Sequence, residues 1–224
     1  MSPKPSKMCV AADTVTLRCQ KHSAPEVLLI ERACEPFQGE WAFPGGFVEQ
    51  EEDLGAAARR ELREETGLQP VAIDQVGAWG TPGRDPRGRT VSAVYLAITR
   101  PDESDVKAGD DAAGAEWHPL TQLPSLAFDH EEILPSVMQY LRDRCERTHL
   151  AFAFLPETFT ENGLREVIRS LGAANPARKA RSLLQAALIV QSGAGGQYRL
   201  DVSRYQARLR EPVFMFPIGQ TAEE

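Results

Sequence analysis

The sequence predicts an α/β protein in two parts, a larger one over residues 1–149 and a smaller one over 150–224. Two observations carry this. Up to about residue 149, runs rich in Val, Leu, Ile and Thr alternate with two long helical stretches. Beyond Leu150 the pattern changes to helix, helix and hairpin. At 224 residues and 42% hydrophobic, the chain is long enough for one ordinary domain with its own core and a small second one.

VAADTVTLR (Val10 to Arg18) and EVLLIER (Glu26 to Arg32) read as strands joined by a polar turn. Asp53 to Thr66 reads as a helix stopped by Gly67. GTPGRDPRG (Gly80 to Gly88) is turn chemistry, TVSAVYLAIT (Thr90 to Thr99) a long central strand, and PDESDVKAGDDAAG (Pro101 to Gly114) an acidic loop. A second helix is predicted from about His130 to Arg147. In the smaller part, Thr158 and Glu161 have the spacing of a capping box opening a helix that Gly172 ends. Asn175 and Pro176 suit the cap and first turn of another, through about Ala187, and LIVQSGAGGQYRLD reads as a hairpin.

Composition narrows the function classes. Net charge is −7, split as −9 up to Arg147 and +2 after it, so the tail is compatible with a nucleic-acid partner without requiring one. Cys9, Cys19, Cys34 and Cys145 have no paired spacing, which argues against a zinc knuckle or a disulfide framework. No apolar run follows MSPKPSK and no stretch has the length of a membrane span, so a soluble, cytoplasmic protein without membrane attachment is expected.

The helix from Asp53 carries its charges in an unusual place. Leu54, Ala57 and Ala58 form an apolar stripe, and continuing it by the same steps leads to Glu61, Glu64 and Glu65, then Leu68. Arg59 and Arg63 lie on the other side. Carboxylates at i, i+3 and i+4 are neighbours. At roughly 5 Å and an effective dielectric near 20, each ionised pair repels by about 3 kcal/mol. Arg60 can balance one of them, and the others must be protonated or hold a cation; hard oxygen ligands so grouped suit magnesium or manganese. A solvated surface helix would serve as well if the helix stood alone. Pro44-Gly45-Gly46 before it weighs the other way, since glycines let backbone approach a metal or phosphate.

Gly46, five residues, Glu52, seven residues, then Arg60-Glu61-Leu62-Arg63-Glu64-Glu65-Thr66-Gly67-Leu68 matches the Nudix box at every fixed position. The chain thus resembles the Nudix hydrolases, which cleave a nucleoside diphosphate linked to another group with divalent metal and water. The resemblance implies an α/β/α sandwich with a mixed sheet. It implies Glu61, Glu64, Glu65 and the Gly45 carbonyl as ligands of Mg2+ or Mn2+, with Arg60 and Glu52 supporting them. Glu49, Glu51 and Asp53 are left as solvated. In many members a further acid lies on a loop outside the box; Glu103, Asp105, Asp110, Asp111 and Glu116 are candidates by position, with Asp110 and Asp111 preferred.

VLLIERACEPFQGEWAFPGGFVE, WGTPGRDPRGRTVSAVYLA and LAFDHEEIL resemble the ADP-ribose pyrophosphatase-like branch, whose substrate is split to AMP and ribose 5-phosphate. Arg84, Arg87 and Arg89 have the chemistry to hold phosphate or ribose oxygens, though each also suits a solvated turn. Phe37 and Trp41 suit either an adenine or the core, and His130 a structural place. From Ala151 to Asp201 the chain is similar to the winged-helix part of Nudix-related transcriptional regulators of NAD metabolism. That implies contacts to double-stranded DNA by Arg178, Lys179 and Arg181, with Arg199 touching phosphates. NPARKARSLLQAAL is less densely basic than those regulators' recognition helix, whereas the box here is complete. The expectation is therefore a metal-dependent hydrolase, with an ADP-ribose-sensing DNA-binding regulator as the alternative and a homodimer as the assembly.

Overall fold

A computed structural model describes residues 7–20, 24–103, 105–107, 109, 112–185, 189–191, 195–201 and 203–205. The preferred loop acids Asp110 and Asp111 lie outside the described residues. Contacts divide the chain into two compact units, Met1–Tyr140 and Leu141–Glu224, with the division inside a helix. Among the described residues no helix is long and apolar enough to cross a membrane.

The first unit is built on a seven-stranded mixed sheet. Its strands are β1 (Cys9–Arg18), β2 (Glu26–Arg32), β3 (Trp41–Ala42), β4 (Gly45–Phe47), β5 (Ala72–Trp79), β6 (Thr90–Ile98) and β7 (Ala112–Pro119). The order is β3-β2-β1-β6-β5, with β4 added to β1 and β7 to β2. β1 and β6 run parallel from Cys9 beside Thr90 to Leu17 beside Ile98; both are buried almost throughout, as a central parallel pair should be.

β1 has two partners on its other edge. It meets β2 at Leu17 beside Val27, but at Ala11 to Asp13 it pairs with β4. The sheet therefore opens between β1 and β2, and a pocket forms there. β4 takes in both glycines of Pro44-Gly45-Gly46. It is a strand because Gly45 passes so close to β1 that a Cβ would meet Ala12 O and Asp13 Oδ1 at 2.5 Å. β5 and β7 carry mixed polar and small residues, and this hid them from pattern reading; β7 begins inside the stretch expected as acidic loop.

Helix α1 (Leu54–Thr66) begins where Asp53 Oδ1 accepts the Ala56 N–H at 2.8 Å, so Asp53 is a cap rather than idle solvated charge. It ends at Gly67, whose φ of 75° releases the chain and whose N–H returns to Arg63 O. Ala57 and Ala58 are small enough to lie against Ala12, Ala93 and Tyr95, and Leu62 packs with Leu28, Leu68 and Ala97. Helix α2 (His130–Arg147) follows as predicted and spans the division between units.

The second unit contains β8 (Thr158–Thr160), α3 (Glu161–Ser170), α4 (Pro176–Gln185), β9 (Ile189–Gln191) and β10 (Gln197–Leu200), with a three-stranded sheet ordered β8-β10-β9. The cap of α3 is Thr160, whose hydroxyl accepts the Gly163 N–H, and not Thr158, which pairs in β8 beside Arg199. Asn175 caps α4 as expected, accepting the Arg178 N–H at 3.1 Å. The core is Phe152, Phe154, Leu164, Ile168, Leu183 and Tyr205.

Candidate active site

Arg60 gathers the acids of α1. Its Nε and Nη2 donate to Glu52 at 3.0 and 2.5 Å, Nη1 donates to Glu61 at 2.8 Å and Glu64 at 3.1 Å, and Nη2 also reaches Phe47 O. Four acceptors on one guanidinium raise its pKa, first through the Glu52 hydrogen bonds. The same bonds hold Glu52 below the usual carboxylate range. Glu52 Oε1 also accepts the Glu49 N–H, so it braces the loop entering α1.

The three glutamates differ in burial. Glu65 is 7% exposed and its Oε2 accepts the Gly45 N–H at 2.8 Å. Glu61 is half-buried against Gly46, where a Cβ would collide with its carboxylate. Glu64 is the exposed member, with 52% of its side chain open. Along the stripe Glu65 and Leu68 are buried and Glu61 partly so, and Glu64 alone of the three acids opens to solvent. Burial pushes Glu61 above the usual carboxylate range despite Arg60 beside it. A half-buried carboxylate with that bias suits a divalent cation as counter-charge, and the hard-oxygen donors match. Among the described residues no three acids converge closely enough to hold an ion in these positions, because Arg60 draws Glu61 and Glu64 while the Gly45 amide draws Glu65.

Gly45 and Gly46 line the pocket in the opened sheet, together with Asp13, Arg32, Phe43, Phe47, Arg84, Asp85, Arg87, Phe128 and His130. The acids of α1 therefore stand against the same strand that borders the pocket. Of the three arginines expected here, two arrive and one does not. Arg84 is buried and committed to Asp129 and Asp13; Arg87 pairs with Asp85 while its guanidinium lies over Phe47 at 4.7 Å. Arg89 is exposed and donates to Thr90 O, away from the pocket lining, because β6 starts at the next residue. Trp41 is also displaced: it sits in β3, edge-on to His118 at 4.7 Å.

Arg32 was not foreseen, since it closes a strand and has no motif around it. Its guanidinium donates to the carbonyls of Pro36 and Cys34 and lies over Phe128 at 4.8 Å. Burial, then the neighbouring Arg87, lower its pKa. It is a pocket cation that donates to backbone carbonyls and, among the described residues, forms no close ion pair with a carboxylate. Phe128, with φ of 59°, was missed as well. His130 is structural in part, as expected: its Nδ1 accepts the Phe43 N–H at 3.0 Å and its ring stacks on Phe43.

In the second unit, Arg178 and Arg181 on α4 are exposed, but Lys179 is buried, its Nζ donating to Glu146 O at 2.6 Å. Its helical phase, one residue from Ala180, turns it inward, so it does not face DNA. Arg199 is held by Glu157. Of the remaining loop acids, Asp105 and Glu116 are exposed, Glu116 on β7.

A profile described as NUDIX domain matches residues 8–140. The chain belongs to the Nudix family. Nudix hydrolases generally use a divalent metal, consistent with the acid set on α1. The chain is 46% identical over 115 residues to an ADP-ribose pyrophosphatase of Methanocaldococcus jannaschii, covering 51% of this chain and 67% of that protein. Over 203 residues the chain is 30% identical to an ADPR responsive transcriptional repressor NtrR of Acinetobacter baylyi, covering 86% of this chain and 79% of the relative. The structure of Shewanella oneidensis NrtR complexed with a 27mer DNA superposes with a TM-score of 0.74 at 27% identity, covering 88% of this chain and 95% of that one. The matches to the repressor and to NrtR run across both units of this Nudix protein, and every fixed residue of the box is present.

Proposed function

We propose that this chain is a magnesium- or manganese-dependent pyrophosphohydrolase acting on ADP-ribose. The observation that carries this is the sharing of one strand: Glu65 takes the Gly45 amide and Glu61 lies against Gly46, while both glycines border the arginine-lined pocket. The 46% identity to an ADP-ribose pyrophosphatase supports the choice of substrate.

A divalent ion held by Glu61, Glu64, Glu65 and the Gly45 carbonyl would supply charge neutralisation at the pyrophosphate and activation of water. The chain's own groups do the rest. Arg32 and Arg87 hold phosphate oxygens, Phe128 keeps the two guanidiniums spaced, and Gly45 and Gly46 leave room for the reacting phosphate beside the backbone. Arg60, braced by Glu52, keeps Glu61 and Glu64 oriented. Water adds to one phosphorus, the bridging P–O bond breaks, and AMP and ribose 5-phosphate leave as phosphate monoesters, with both of the water's protons released near neutral pH. AMP release from ADP-ribose by the pure protein with either metal tests this; no turnover across ADP-ribose, NADH, sugar nucleotides and dinucleoside polyphosphates would refute it.

A second reading is favoured by the relative that spans both units: the chain also binds operator DNA, as a homodimer, with ADP-ribose as effector. Exposed Arg178 and Arg181 on α4 supply phosphate contacts. A gel-shift titration against DNA upstream of its own gene, with and without ADP-ribose, decides it; absence of a specific, salt-sensitive complex counts against it.

A further inference from the structure

The pocket contains a buried ion network that the hydrolytic scheme leaves without a task. Arg84, whose side chain is 4% exposed, donates from Nε to Asp129 Oδ2 at 2.9 Å and from Nη2 to Asp129 Oδ1 at 2.6 Å. Its Nη2 also lies 3.5 Å from Asp13 Oδ2, the atom that accepts the Ser92 hydroxyl at 2.5 Å and faces His130 Nε2 at 3.7 Å. A forked pair of this kind sets the plane as well as the place of both partners. With Nε and Nη2 given to Asp129, and Asp13 close beside Nη2, its charge is balanced within the protein and less available to a ligand phosphate than that of Arg32.

What the pair joins is informative. Arg84 belongs to the loop between β5 and β6, which also carries Asp85 and Arg87. Asp129 opens α2, its carbonyl accepting the Ile133 N–H, and it stands directly after Phe128. Phe128 has φ of 59°, a left-handed backbone that a bulky residue keeps only where its surroundings compel it. Its ring lines the pocket, packs edge-on to Phe37 at 4.8 Å and lies under both Arg32 and Arg87.

We propose that Arg84 and Asp129 form a latch that positions Phe128 and the Arg87 loop as the specificity-determining wall of the pocket, for a phosphate-bearing ligand. Both are positioning residues; neither touches the ligand. The ligand half of this statement rests on the pocket being the ADP-ribose site. The latch itself does not.

The test is a double-mutant cycle in the full chain with Arg84→Gln, Asp129→Asn and their combination, and with Arg84→Lys as a variant that keeps the charge but not the fork. Each single change raises KM for ADP-ribose by at least ~10-fold with a smaller change in kcat, and the double variant is no worse than the poorer single one. Arg84→Lys behaves like Arg84→Gln. Additive losses overturn the latch, as does a KM raised by Arg84→Gln but untouched by Asp129→Asn, since Arg84 would then hold the ligand itself. Independently of any ligand, Asp129→Asn speeds hydrogen–deuterium exchange at the amides of residues 80–89; unchanged exchange also overturns the latch. If the wild-type protein neither binds nor cleaves ADP-ribose, the substrate assignment falls while the exchange experiment still decides the latch.

Discussion

Arg60 and Glu52 face each other through two hydrogen bonds, and the same guanidinium reaches Glu61 and Glu64 on α1. Glu52 is thus the brace that keeps Arg60 in place beside the acids that would take a metal. Replacing it by Gln removes the charge that anchors the guanidinium, which then follows Glu61 and Glu64 and competes with the cation. Glu52→Gln is expected to lower kcat by about 10-fold or more with little change in KM, the scale of lost support behind metal ligands. Steady-state AMP release at saturating Mg2+ measures it, and equal rates would remove Glu52 from the supporting role.

Glu64→Gln and Glu65→Gln are each expected to cut turnover by at least ~100-fold. Glu64 is exposed and Glu65 is tied to the Gly45 amide, so neither change opens a cavity. Circular dichroism should be unaltered. Wild-type rates in both variants would reject the ligand assignment.

Burial holds the Glu61 carboxyl above its usual range. The sign follows: an acid whose folded pKa lies above the unfolded one favours the fold while protonated, and that contribution is lost as pH rises through the folded value. At pH 7 to 8 in EDTA the charged group is therefore a burden, and Glu61→Gln should unfold at a higher temperature than wild type while being inactive. Added Mg2+ or Mn2+ should raise the wild-type midpoint more than that of the variant. Calorimetry with and without metal checks both statements.

Asp13 has the opposite bias. Burial alone would raise it, but hydrogen bonding by His130 and the Ser92 hydroxyl, with the charge of Arg84, outweighs burial and leaves it lowered. Its stabilising effect is present above the ordinary aspartate pKa and is lost as pH falls through the lower folded value. Asp13→Asn should flatten the acid limb of a stability-versus-pH curve below pH ~4 relative to wild type, measured by denaturant titration.

Gly109 donates its N–H to Glu65 O at 2.9 Å, beside Lys107 donating to Thr66 O, and a Cβ there would strike the Glu64 carbonyl oxygen. The loop after β6 thereby caps the end of α1 that carries the acids. Gly109→Ala should lower kcat by about 10-fold, since a displacement near 1 Å suffices for such losses. Unchanged kcat would show that the loop yields instead.

In the second unit, Arg178→Ala and Arg181→Ala should weaken DNA binding without shifting the unfolding midpoint, whereas Lys179→Ala should lower the midpoint because its amine holds Glu146 O from a buried position. A midpoint unmoved by Lys179→Ala would contradict its structural place.

Periodicity and spacing were enough to find α1, α2, α3 and α4, the central strands, the hairpin and the grouping of Glu61, Glu64 and Glu65 on α1, because those signals are local: stripes and fixed intervals. Gly67 ends α1 and Asn175 opens α4 for reasons visible within four residues. The arginines are the contrast. Arg84, Arg87 and Arg89 look alike along the chain, yet one is locked to Asp129, one lies over Phe47 beside the pocket, and one faces solvent. Arg32 gives no local sign of its place. What decides among them is which carboxylates stand nearby, and Asp129 is brought to Arg84 from 45 positions away. The sequence by itself determined the chemistry available, acids for a metal and guanidiniums for phosphate, since residue type and spacing set that. Only the tertiary structure decided which charges are spent on one another and which stay open to a ligand, because pairing depends on distance through space and on burial, and neither is written in the order of the residues.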